Sequence, residues 1–133
     1  MEEIFNFLEN NKYGSLATSA EEQPYVRPFE YGFKTDEGIF FYTSEDKEVY
    51  SQLRSNPRVC FCATDKNLTY VQLTGDIKFT EEEKYKDIML KNSMNARKIY
   101  ETIDNSSFKL FYMPHGKIMM HKYEVGCVSE VKF

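Results

Sequence analysis

The sequence predicts a mainly β protein, with antiparallel strands forming a barrel and helices at its periphery. Two observations lead there. Ten Tyr and eleven Phe in 133 residues favour pleated strand surfaces over helices. Short β-prone runs also follow one another across tight turns, and consecutive strands joined that way form an antiparallel meander that closes into a barrel. The length is that of one ordinary domain, 1–133, and 41% apolar residues suffice for a core.

Residues 2–11 place Ile4, Phe5 and Leu8 on one helical face, with Glu2 and Glu3 at the N-terminus and Asn10-Asn11 at the end. Tyr13–Ser19 reads as a first strand and Ala20–Pro24 as a turn. Tyr25–Lys34 is a second strand, and Pro28 within it marks an edge or a bulge, because proline cannot donate to the ladder. Thr35–Gly38 is a hairpin turn leading into a third strand, Ile39–Thr43. A helix is expected over Glu45–Ser55, with Ser44 as N-cap, Val49 and Leu53 inward, and Lys47, Glu48, Gln52 and Arg54 in water. Asn56-Pro57 stops it.

Arg58–Ala63 is a fourth strand. Leu68–Phe79 is a long fifth strand, with a bulge or bend expected at Gly75. Thr80 then reads as an N-cap with Glu83 at the capping-box position, opening a helix to about Leu90 that resumes over Ser93–Ile103. Phe108–Met113, Lys117–Tyr123 and Val125–Val131 are the remaining strands, with Pro114-His115-Gly116 as a turn.

Charge and cysteine content exclude several classes. With 17 basic and 21 acidic residues the net charge is −4, and no basic stripe offers a grip on nucleic acid. No apolar run is long enough for a membrane span. Met1–Glu3 carries the wrong charge for a signal peptide. The odd count of three Cys fits reduced thiols, hence a cytoplasmic protein.

The segment Gly38–Gly75 carries the chemistry. Tyr42-Thr43-Ser44 ends a strand, and Lys47 falls in the first turn of the next helix. That turn presents backbone N–H groups without partners, and its dipole favours an anion. A hydroxyl from Thr43 or Ser44 can donate to a phosphate oxygen, and Lys47 adds a full charge. A lone cation there is disfavoured by ~0.3–1 kcal/mol, which a bound phosphate would reverse. The alternative is a solvated Lys47 beside Asp46 and Glu48. Pairing across the Thr35–Gly38 hairpin brings the Arg27–Glu30 region toward Tyr42, adding a guanidinium to the ammonium. There the alternative is a surface Arg27 paired to an acid.

Taken in order, "RPF" at Arg27–Phe29, "GIFFYTSEDKEVYSQLRSNPRVCFC", "YVQLTGDIKF" and, more weakly, "FKLFYMPHGKIMMHKY" resemble the pyridoxamine 5′-phosphate oxidase-like family of FMN-binding split barrels. The resemblance implies a split β-barrel that pairs as a homodimer, with an FMN in each of two clefts at the subunit interface. By matching position, Arg27 and Lys47 would hold the FMN phosphate. The backbone at Pro28 and Phe29 would run beside the flavin ring. Tyr42 and Thr43, with Ser44 next to them, would line the phosphate and ribityl region. Tyr70 and Gln72 share one strand face, and one of them would approach the flavin.

Two departures speak against vitamin B6 oxidation itself. The oxidase has a serine–arginine–lysine cluster where this chain has Ser44-Glu45-Asp46-Lys47. Its C-terminal arginine- and histidine-bearing segment also has no counterpart before Phe133. The chain is more similar to short bacterial members, the general-stress proteins and nitroimidazole reductases. The expected function is therefore an FMN oxidoreductase passing electrons from a reduced nicotinamide to a small acceptor. The alternatives are a non-catalytic flavin store or sensor, or a split barrel holding haem or a deazaflavin.

No residue is required as a catalytic acid or base. Cys60 and Cys62 alternate on a strand and share a face, but no second pair completes a metal site, so both read as buried thiols of the barrel wall. His115 lies in an exposed turn and His121 in a strand, and neither belongs to a legible catalytic triad.

Overall fold

The two longest expected strands are each cut in two, and the cuts divide the barrel into two sheets. A computed structural model describes residues 2–133. In order the elements are α1 (Glu2–Asn10), β1 (Tyr13–Ala20), β2 (Gln23–Glu30), β3 (Phe33–Thr35), β4 (Gly38–Ser44), α2 (Glu48–Ser55) and β5 (Arg58–Thr64). There follow β6 (Tyr70–Asp76), β7 (Lys78–Thr80), α3 (Glu83–Asn92), α4 (Met94–Tyr100), β8 (Phe108–Met113), β9 (Gly116–Lys122) and β10 (Gly126–Lys132). A six-stranded sheet runs β10-β9-β6-β5-β1-β2 and a four-stranded sheet runs β3-β4-β8-β7, every pairing antiparallel. The sheets do not join into one ring, so the barrel is split.

The expected strand over Tyr25–Lys34 ends at Glu30. The chain crosses between sheets at Tyr31-Gly32 and resumes as β3. Gly32 permits the crossing, because a Cβ there would lie 2.6 Å from the Phe40 carbonyl oxygen. The expected fifth strand likewise breaks at buried Ile77, whose N–H bonds the Pro57 carbonyl, and not at Gly75, which stays in register opposite Val59 and Gly116. Pro28 does lie on an edge strand, since β2 ends the six-stranded sheet.

The turn after β1 is also tighter than Ala20–Pro24. Ala20 pairs with Gln23, and Glu21 and Glu22 alone make the turn, both at positive φ. Thr80 is the last residue of β7 and not an N-cap, and α4 stops at Tyr100, short of Ile103.

β4 explains the placement of the core. Its residues GIFFYTS are apolar on both faces, and both faces are covered. Phe41 points into the barrel with Leu16, Phe61, Leu73 and Phe111. Phe40 points the other way, onto Tyr85 and Met89 of α3 and into a second cluster with Ala96, Tyr100 and Phe108. Buried apolar surface contributes roughly 25 cal/mol per Å², so two-sided burial makes β4 a strong contributor to the stability of the fold. Among the described residues no helix is long and apolar enough to cross a membrane.

Candidate functional site

The site forms where the doubly buried β4 ends. α2 begins at Glu48, later than the sequence predicts, with Lys47 as its N-cap in extended conformation and no side-chain capping bond. Ser44 is therefore not the cap. It completes β4, and its hydroxyl shares a short hydrogen bond with the Tyr100 hydroxyl. Lys47 thus stands one position before the first helical turn, still at the positive end of the dipole. It is exposed and forms no ion pair among the described residues.

A cavity of about 100 Å³ opens there, lined by Pro28, Phe29, Tyr42, Thr43 and Lys47, with Glu30, Ile99 and Tyr100 completing the wall. Thr43 is 2% exposed, and its Oγ1 is buried with no hydrogen-bond partner. Leaving a buried hydroxyl unsatisfied costs about 1–3 kcal/mol. Thr43 and Lys47 line the same cavity, so an anion admitted there with a small local shift would give this hydroxyl an acceptor, and the donors present fit a phosphate.

Arg27 does not reach β4 across the Thr35–Gly38 hairpin. β2 pairs with β1, and β4's hairpin partner is β3. The guanidinium turns instead toward α2. Its Nη1 donates to the Leu16 carbonyl at 3.1 Å and to Thr18 Oγ1 at 2.9 Å, and its Nη2 donates to Gln52 Oε1. Gln52 is accordingly buried, not solvated as its helical position suggests, and also accepts from the Thr18 hydroxyl at 2.6 Å. Every hydrogen-bond partner of Arg27 is neutral. Burial pulls its pKa below the ordinary value, with the Glu48 carboxylate opposing, yet a guanidinium stays charged at physiological pH. Its charge is therefore uncompensated by any direct carboxylate contact.

A second group of residues escaped the sequence reading. Glu30 Oε1 accepts from the Tyr42 hydroxyl at 2.7 Å and from Ser93 Oγ at 2.8 Å. Ser93 Oγ in turn accepts the Ala96 N–H at 3.0 Å, capping α4. Burial, with the Glu30 carboxylate, pushes the Tyr42 phenol well above its usual range, so Tyr42 is a neutral donor. Glu30 and Tyr42 are 12 residues apart, and their approach is the part of the expected Arg27–Glu30 proximity to Tyr42 that the fold keeps; Ser93 lies 63 residues from Glu30, and no local pattern announces it.

Tyr70 and Gln72 share the outer face of the six-stranded sheet, as alternation predicts, and neither lines this cavity. The Tyr70 ring stacks on His121 at 4.7 Å, and Gln72 Nε2 donates to Cys60 Sγ. Cys60 and Cys62 lie on that outer face and are half-buried, not enclosed in the wall, because Val59, Phe61 and Ala63 take the inward positions. A larger concavity, about 780 Å³, lies between β1, β5, β6 and the Pro114-His115 corner, and holds none of the predicted cofactor-binding residues.

A sequence profile described as pyridoxamine 5′-phosphate oxidase matches residues 1–112. The chain belongs to this family. Solved structures with the same fold include a NimC/NimA family protein from Clostridium acetobutylicum, with TM-score 0.89 and 22% identity over 100% of this chain and 92% of that one. General Stress Protein 26 from Bacillus anthracis matches with TM-score 0.80 and 16% identity, over 99% of this chain and 97% of that one. A heme binding protein from Mycobacterium smegmatis matches with TM-score 0.81 and 19% identity, over 98% of this chain but only 57% of that one. No curated protein matches the chain.

Proposed function

We propose that this protein is an FMN-binding flavoprotein of the cytoplasm. In this reading it passes electrons from a reduced nicotinamide through FMN to a small acceptor. The carrying observation is that Thr43, whose buried hydroxyl has no partner, and unpaired Lys47 line one cavity. Lys47, Thr43 and the start of α2 would take the phosphate, with Arg27 adding its charge from the side of α2. The flavin supplies the redox chemistry, and the protein orients it and excludes water.

The same reading calls for a homodimer. Pockets for small molecules usually span about 300–1,000 Å³, so a cavity of about 100 Å³ accommodates only part of a flavin. Tyr70 and Gln72 face away from the core on the outer sheet face, so either would have to reach the flavin of a second copy. Each cofactor would then lie between two chains.

Purified protein titrated with FMN should develop the flavin spectrum at one equivalent per chain. With an acceptor such as a nitroaromatic, it should consume reduced nicotinamide beyond one flavin equivalent. Protein that stays apo and colourless after FMN is added overturns the reading. Flavin binding without turnover leaves the storage or sensing role. Haem is the second reading, favoured by the likeness to the heme binding protein. It predicts an intense Soret band on haem addition and no flavin uptake.

A further inference from the structure

Glu30 has one carboxylate oxygen committed to the protein and one free. Both protein donors, Tyr42 and Ser93, bond to Oε1, whereas Oε2 accepts no hydrogen bond among the described residues. Glu30 is half-buried and lines the same cavity as Thr43 and Lys47. The cavity therefore has two chemically opposite ends. Lys47 and the orphaned Thr43 hydroxyl offer positive charge and a donor, and Glu30 offers an acceptor held in place by two hydrogen bonds.

We infer that Glu30 is a ligand-binding residue whose free Oε2 accepts a hydrogen bond from a polyol hydroxyl of the bound cofactor. The inference rests on the flavin reading above. A carboxylate repels a second anionic group, so its partner must be a neutral or cationic donor, and beyond its phosphate FMN carries only neutral ones. A cavity of about 100 Å³ holds a phosphate and the atoms next to it, not a three-ring system. In FMN the atoms next to the phosphate are the ribityl hydroxyls. Glu30 thereby selects a ligand with one anionic end followed by hydroxyls, and disfavours one carrying charge further along.

Glu30→Gln is the discriminating variant. Its amide oxygen can still accept from Tyr42 and Ser93, while an NH2 group replaces the free acceptor. Binding of FMN, riboflavin and lumiflavin, which lacks the ribityl chain, is measured by fluorescence quenching on wild type and variant. The expected result is a loss of about tenfold or more for both FMN and riboflavin, the range for hydrogen bonds to charged groups, with lumiflavin unchanged. Equal losses for all three, or no loss for FMN and riboflavin, overturn the inference. Ser93→Ala removes one donor to Oε1 and leaves Oε2 free, so it should retain riboflavin affinity. A loss in Ser93→Ala as large as in Glu30→Gln would mean that Glu30 only braces the wall, and would also overturn it. If wild type itself takes up no flavin, the flavin reading fails. If wild type binds and Glu30→Gln binds equally well, only the role of Glu30 fails.

Discussion

Thr43 and Lys47 act on opposite sides of a trade between stability and binding. The buried Thr43 hydroxyl costs stability in the ligand-free chain and repays it only when an acceptor arrives. Thr43→Val, nearly the same shape, should therefore raise the unfolding free energy of the apoprotein by about 1 kcal/mol or more in urea titration. The same variant should weaken FMN binding. Lys47 is exposed and unpaired, so Lys47→Ala should leave stability within about 0.5 kcal/mol. It should weaken FMN binding by ~1.5–3 kcal/mol and leave riboflavin, which has no phosphate, nearly unaffected. Equal affinity of the variant for FMN would move the phosphate elsewhere. Lys47 was legible because strand-end hydroxyls, a helix start and a cation sit within a few residues of one another. The approach of Glu30 to Tyr42 was legible from the hairpin, but the burial of Gln52 against Arg27 and Thr18 and the bond from Ser93 to Glu30 were not, because those partners come from distant segments.

Among the elements, most were legible as strands or helices, and the errors fell at their ends. β8 runs from Phe108 to Met113 as expected, because it is a strand-prone run, polar only at Lys109, between turn residues. β2 and β6 were each merged with a following short strand, since a strand that changes sheet keeps its strand character in the sequence. The turn expected over Ala20–Pro24 is present but tightens to Glu21-Glu22, for a different reason. Both residues hold φ of 51° and 66°, a conformation that favours Asn and Gly. Replacing Glu21-Glu22 with Asn-Gly should raise stability by about 1–2 kcal/mol, seen as a higher thermal midpoint with unchanged flavin affinity. An unchanged or lower midpoint would mean that the two glutamates make compensating contacts.

At the scale of the whole molecule, the two sheets enclose one core while α3 and α4 cover the outer face of the four-stranded sheet. The outer face of the six-stranded sheet carries Cys60 and Cys62, whose thiol pKa values are pushed up by burial, whereas Cys127 is exposed on β10. Alkylation of the native protein at neutral pH should therefore reach Cys127 first, with Cys60 and Cys62 reacting slowly until unfolding. Mass mapping that finds Cys60 or Cys62 modified as fast as Cys127 would contradict this packing. Composition and alternation were enough to establish the β class, the hairpin pairings and the position of a cation beside β4, because each depends on residues close together in the chain. The division into two sheets, the turning of Arg27 toward Gln52 and the Glu30 wall of the cavity were decided only in three dimensions. Each depends on which strand lies beside which, and a local pattern carries no record of a partner dozens of residues away.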